Sequence, residues 1–267
     1  VTARKRRPVV AAVFAVAVLL GSAGPRAGAA PPAAISVRAK IDASGWSRLL
    51  AKYVDDRGFV DYRAWKSSAP DRAVLESYLR DLAAAPSPEA GKPEREADLI
   101  NAYNASAISW ILENFPTESI RSLPDSFAAK RFTLGGRKVS LDDIESALRE
   151  SVGDRVHSAI SCASRSCPPL SRGVFEPGRL DEQLDSQMRR WLARPDLNRF
   201  EPKEDRVRLS KIFDWFAGDF RAAGGLGAVL LRFSPPEFRG FLEKGGYRVE
   251  FLDYDWGVND QGGRGKD

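Results

Sequence analysis

Histidine and cysteine are nearly missing from this 267-residue chain, which holds one His and two Cys. A single imidazole excludes the two-histidine zinc motifs of metalloproteases, and neither a G-x-S-x-G elbow nor a phosphate-cradling glycine loop is present. Acidic residues are missing from the first 29 positions, which contain Arg4, Lys5, Arg6, Arg7 and Arg26. Without that segment the basic residues only equal the 36 acidic ones, so the formal net charge of +5 belongs to the leader. A neutral body exerts no general pull on phosphate backbones, and no basic stripe is interleaved with aromatics, so no nucleic-acid partner is expected. Apolar side chains make up 43% of the chain and charged ones 29%, which excludes a disordered or collagen-like polymer.

The leader has the three parts of an export signal: a cationic start at Arg4 to Arg7, an apolar run from Val9 to Leu20, and small residues ending in Ala27-Gly28-Ala29. The apolar run is short for a membrane span of about 20 residues. The expectation is a signal peptide over 1–29, cleavage before Ala30, and a periplasmic or secreted protein with no integral membrane segment afterwards. Residues 30–40, rich in Ala and Pro, are expected to form a linker.

Helical spacing marks Trp46, Leu49, Leu50 and Tyr53, then Leu75, Tyr78, Leu79 and Leu82. The strongest helix follows, with Leu99, Ile100, Tyr103, Ala107, Ile108, Ile111 and Leu112 before Pro116. Gly135-Gly136 between Phe132-Thr133-Leu134 and Arg137-Lys138-Val139 predicts a hairpin. Ser140 with Asp143 resembles a capping box opening the next helix. Further helix signals cover 180–193 and 211–220, and residues 207–209 and 247–251 alternate like strands. These elements lack a βαβ rhythm and predict an α+β fold: a helix-rich single domain over 41–260, with a small, mostly antiparallel sheet and a flexible tail over 261–267.

His157, Cys162 and Cys167 fall within eleven residues, ahead of Pro168-Pro169-Leu170. Four readings compete for this window. In an exported chain Cys162 and Cys167 suit a disulfide across a short loop. A cysteine nucleophile with His157 as base needs a sharp turn, because residues five apart do not share a face of a helix or strand. Zinc binding suits the ligand types but not the spacing. A packed structural turn is the fourth reading. Elsewhere, Asn101 and Asn104 sit one turn apart on the strongest helix, as a buried amide network or a polar wall. Asp255, in Tyr254-Asp255-Trp256, is the candidate to orient His157. The aromatic run Phe213-Asp214-Trp215-Phe216, with Asp219-Phe220, is expected to be mostly core.

The window from His157 to Leu170 resembles the central signature of the domain-of-unknown-function 547 family. Gly58-Phe-Val-Asp61-Tyr62, Asn101-Ala-Tyr103-Asn104-Ala105, Asn114-Phe115-Pro116 with Ser119-Ile120-Arg121, Leu209 to Phe220, and Tyr254 to Asn259 resemble its other motifs in order. The resemblance runs over roughly 45–259 and implies a domain often exported in bacteria, without supplying an activity. It maps the family's polar positions onto Asn101, Tyr103, Asn104, His157, Cys162, Cys167, Asp255 and Asn259. Papain-like and transglutaminase-like thiol enzymes are a distant fold-level analogy, the order here being His, Cys, Asp instead of Cys, His, Asp or Asn. The enzyme expectation is thiol-dependent hydrolysis or acyl transfer on a small-molecule, peptide, amide or cell-envelope substrate. Cys162 is then nucleophile, His157 base, Asp255 orienter, and Asn101 or Asn104 an oxyanion donor, with Tyr103, Ser166, Cys167, Trp256 and Asn259 on the substrate side. The competing expectation is a non-catalytic binding module clipped by a Cys162–Cys167 disulfide. No cofactor or metal is expected.

Overall fold

A computed structural model describes residues 34–263. The signal peptide expected over 1–29, residues 30–33 of the linker, and 264–267 of the tail lie outside the described residues. Helices α1 (Ser44–Tyr53), α2 (Tyr62–Ser67) and α3 (Ala69–Ala83) pack around α4 (Lys92–Asn114). Every side chain of α4 from Glu96 to Ile108 is buried, so the expected stripe is a helix wrapped on all sides. Ala97, Ala102, Ala105 and Ala107 let its neighbours approach that closely. Proline frames it, with Pro93 in the first turn and Phe115-Pro116 at the end.

The hairpin β1 (Phe132–Leu134) and β2 (Arg137–Val139) forms as expected, in antiparallel register. Gly135 is required there: its φ is +53° and a Cβ would collide with the Ser36 carbonyl. Ser140 caps α5 (Leu141–Val152) with a reciprocal box through Asp143. The short α6 (Val156–Ala159) carries His157 and leads into the cysteine loop, and α7 (Leu180–Leu192) follows. The second sheet joins β3 (Arg199–Glu201) antiparallel to β4 (Arg206–Leu209). Between β4 and the last strand lie α8 (Ile212–Trp215), α9 (Ala217–Ala222), α10 (Leu226–Phe233) and α11 (Arg239–Lys244). That last strand, β5 (Arg248–Phe251), pairs parallel with β4. The result is the expected helix-rich α+β fold, with short helices breaking up the segments read as continuous. Among the described residues no helix is long and apolar enough to cross a membrane.

The fold begins before residue 41. Ile35 and Val37 are buried, the Ala39 amide donates to the Pro88 carbonyl, and the Ala90 amide donates to that of Val37. The alternation Ile35-Ser36-Val37 outweighs the Ala/Pro composition that suggested a linker. At the other end Gln261, expected in the free tail, donates through Nε2 to the carbonyls of Tyr53 and Phe59.

Two apolar clusters fill the interior. One gathers α1 to α6 with Leu180 and Leu184 of α7, and the other gathers Met188, Trp191 and Leu192 of α7 with β4 and α8 to α11. The 160–170 loop lies where they meet, and buried side-chain amides fasten it. Asn104 Nδ2 donates to the Ala159 carbonyl (2.9 Å) while its Oδ1 accepts the Ser161 amide (2.8 Å). Gln187 Nε2 donates to the Pro169 carbonyl (2.9 Å). Gly58, at φ +84°, lies so close to the backbone of Pro169 and Leu170 that any side chain would collide with it. Asn104→Ala strands a buried amide and a buried carbonyl, and is expected to cost about 2–4 kcal/mol in urea unfolding.

Candidate active site

Stretches of the chain far apart in sequence meet at a cavity of about 180 Å³. Its walls include Tyr103 of α4, Glu145 of α5, His157 of α6, Cys162 and Cys167 of the loop, Trp215 and Phe216, and Tyr254 and Trp256. The tight turn that the sequence demanded is present: Ala163 takes φ +64° and the Cys167 amide donates to the Ser164 carbonyl (3.1 Å). It brings the Cys162 and Cys167 sulfurs to 2.9 Å. A disulfide bond is about 2.05 Å long, so the expected disulfide is not formed and both cysteines are free thiols.

Donors converge on Cys167. Its Sγ accepts the Cys162 amide (3.2 Å) and lies 3.3 Å from the Tyr254 hydroxyl and 2.9 Å from the Cys162 thiol. Burial raises its pKa, but hydrogen bonds from Cys162 and Tyr254 outweigh that and bring it down to about 6. Cys162 moves the opposite way, well above the ordinary thiol range, because its proton is held toward Cys167 and its surroundings are buried. Charge on both sulfurs is strongly disfavoured at this separation, so the pair loses its protons in two separate steps, and the donors at Cys167 favour that sulfur for the first charge. The surroundings thus favour negative charge on Cys167, whereas the sequence pointed to Cys162 as the nucleophile.

His157 is oriented by a different carboxylate from the one expected. Its Nε2 lies 2.8 Å from Asp219 Oδ2, and Arg149 grips the same carboxylate through Nε (2.6 Å) and a second nitrogen (3.0 Å). Hydrogen bonds from Arg149 overcome burial to hold Asp219 down to about 2, so it is ionised. Burial pushes His157 down to about 4 against the pull of Asp219. A neutral ring facing a carboxylate puts its proton on Nε2 and leaves Nδ1 as an acceptor. The ring stacks on Phe216 (4.1 Å between centroids). Among the described residues neither sulfur shares a hydrogen bond with it. Asp255 lies elsewhere: its Oδ1 accepts the Gly257 amide (2.8 Å) and its Oδ2 is 3.5 Å from Arg165. It closes a turn because the two-residue spacing to Gly257 suits an aspartate turn.

The other expected residues divide in the same way. Tyr103 and Trp256 line the cavity. Asn101 does not: it brackets Phe175, donating to its carbonyl (2.9 Å) and accepting its amide (3.0 Å). Asn104 is engaged on the loop backbone, and neither asparagine is part of the cavity wall where an oxyanion donor is needed. Ser166 Oγ accepts the Asp255 amide (2.9 Å), and Asn259 Oδ1 accepts the Tyr62 hydroxyl (2.9 Å), both structural ties. Among the described residues no group of three His, Cys, Asp or Glu side chains is placed to hold a metal ion.

Sequence reasoning missed Glu145, Asp219 and the exposure of Trp215. Burial raises Glu145 to about 7, only partly offset by Arg149. The helical spacing of Trp215 and Asp219 gives no signal, because Phe216 interrupts the helix between them. Trp215, expected in the core, is 45% exposed.

Residues 88–192 match the family model described as "Protein of unknown function, DUF547". That stretch is similar to the DUF547 family. The matched stretch runs from before α4 to the end of α7, and so includes His157 and both cysteines but not Asp219 or Tyr254. No curated protein and no solved structure matches the chain.

The geometry of the site leads to two expected outcomes. Tyr254→Phe removes a donor from the Cys167 thiolate, so the midpoint of its iodoacetamide alkylation moves upward from about 6. For Glu145, a carboxyl raised to about 7 when folded binds more protons in the native state than in the unfolded one, where it titrates near 4.3. Its contribution therefore declines as pH rises from about 4.3 to 7. Glu145→Gln should gain melting temperature over wild type at pH 8 and lose that gain at pH 4.

Proposed function

We propose that this protein is a thiol catalyst working by dithiol–disulfide exchange. The observation that carries this reading is the 2.9 Å contact between a donor-stabilised Cys167 sulfur and the protonated Cys162. A hydrolase needs one activated sulfur, whereas a paired second thiol is what exchange needs. The Cys167 thiolate attacks one sulfur of a substrate disulfide. A new S–S bond forms to the protein, the substrate S–S bond breaks, and the first substrate thiolate leaves and takes a proton from water. Cys162 then gives its proton to Glu145, whose carboxyl sits in the same cavity and exchanges protons near neutrality. The Cys162 sulfur attacks that of Cys167 and expels the second substrate thiolate. The protein dithiol is oxidised to a disulfide and the substrate is reduced to two thiols. A low-molecular-weight thiol in excess reverses the sequence.

Export, which we propose from the leader, puts this chemistry in a compartment where disulfides persist. One observation favours a second reading, thiol-dependent hydrolysis or acyl transfer on a peptide, amide or envelope substrate: the His157–Asp219 pair leaves Nδ1 as a base at the cavity. The non-catalytic binding module clipped by a Cys162–Cys167 disulfide is the third.

The reduced chain is mixed with 2-hydroxyethyl disulfide at pH 7 and followed by mass spectrometry. Exchange predicts a Cys162–Cys167 disulfide with release of two thiols per chain, and Cys162→Ser should stop at a mixed disulfide on Cys167. A wild-type chain that keeps two free thiols, or an adduct on Cys162 alone, overturns the proposal. A disulfide that resists thiol reductants in the native protein supports the clip.

A further inference from the structure

The mouth of the thiol cavity is built from aromatic faces that the exchange reaction itself does not use. Trp215 meets Tyr254 at 4.8 Å and Trp256 at 5.6 Å between ring centroids, and Tyr254 meets Trp256 at 4.5 Å. Even with two ring partners Trp215 keeps 45% of its surface open, the most of any large apolar side chain among the described residues. A tryptophan left open beside a reactive sulfur forgoes burial that the same side chain obtains at Trp46, Trp65 and Trp191. Its position is explained if a ligand supplies the missing cover.

Size and charge narrow that ligand. The cavity of about 180 Å³ is close to engineered apolar cavities of about 150 Å³ that hold one benzene ring. Its interior charge is negative, from the Cys167 thiolate and from Glu145 once ionised, while His157 stays neutral and Arg149 is spent on Asp219. At the rim Arg121 lies over Trp256, 4.7 Å from the ring centroid, and Arg165 faces Asp255. Among the described residues the partners found at the two sulfurs are amide, hydroxyl and thiol groups and not cations, so an anionic substrate enters against the field.

We infer that the substrate of this centre is a low-molecular-weight disulfide bearing a neutral, flat ring beside its reactive sulfur, and that the ring stacks on Trp215. This rests on the exchange reading. The ring both fills the cavity and fixes the S–S bond near Cys167, a positioning effect on rate as well as binding. Stacking between aromatic rings makes the preference roughly three- to tenfold.

Stopped-flow exchange on the full chain at pH 7 tests this with three probes: 2,2′-dithiodipyridine, neutral and aromatic; 2-hydroxyethyl disulfide, neutral and aliphatic; and oxidised glutathione, anionic. Each rate is divided by that of the same chain unfolded in urea, which removes the probe's own leaving-group reactivity. The expected order of the divided rates is aromatic, then aliphatic, then anionic. The ratio of aromatic to aliphatic should collapse in Trp215→Ala and be kept in Trp215→Phe, a contrast that general loosening of the fold does not produce. Equal divided rates in the wild type, or an unchanged ratio in Trp215→Ala, overturn the inference. If the folded chain fails to react with the aliphatic probe as well, the exchange reading itself fails.

Discussion

One proton shared between two sulfurs is the constraint around which this site is arranged. At 2.9 Å the Cys162 and Cys167 sulfurs strongly disfavour a second charge, so the pair loses its protons in two separate steps. Which sulfur takes the charge depends on the surroundings. The Cys162 amide donates to Cys167, and the Tyr254 hydroxyl lies nearer Cys167 (3.3 Å) than Cys162 (3.7 Å), while the Ser164 hydroxyl sits 2.9 Å from Cys162; that asymmetry favours the charge on Cys167. A loop free to relax would separate them. Asn104, Gln187 and the absence of a side chain at Gly58 hold it where the two apolar clusters meet. The central helix therefore serves the site indirectly: its Asn104 fixes the backbone that leads to the sulfurs, and its Tyr103 forms part of the wall.

Much of the frame was legible from local patterns. The two-glycine hairpin, the Ser140–Asp143 box and the strongest helix are each specified by residues adjacent in sequence, so spacing was enough to find them. The coincidence of His157, Cys162 and Cys167 also located the centre, because such rare residues seldom gather in one window by accident. The linker was misread because Ala and Pro dominate its composition, while Ile35 and Val37 are buried and the backbone of Val37 and Ala39 bonds to residues 88–90.

The partners of the site were not legible, for a physical reason. Asp255 and Asp219 are equally plausible as orienters until the path of the chain is known. The segment 211–220 reads as one helix, but Phe216 ends α8 and begins α9 with φ −108° and ψ 28°. That break turns Asp219 toward His157 and Arg149, and it leaves Trp215 at the cavity mouth instead of in the core. Likewise, Glu145 occupies an ordinary position on an amphipathic helix. What raises its pKa is burial, supplied by elements far away in the sequence.

Ultraviolet titration of thiolate absorbance in the reduced chain addresses the sharing of that proton most directly. The account predicts one thiolate appearing with a midpoint of about 6 and the second only well above the ordinary thiol range, with the first midpoint moving upward when Cys162 is replaced by alanine. Two thiolates rising together near about 8.5, the value of an isolated cysteine, would contradict it.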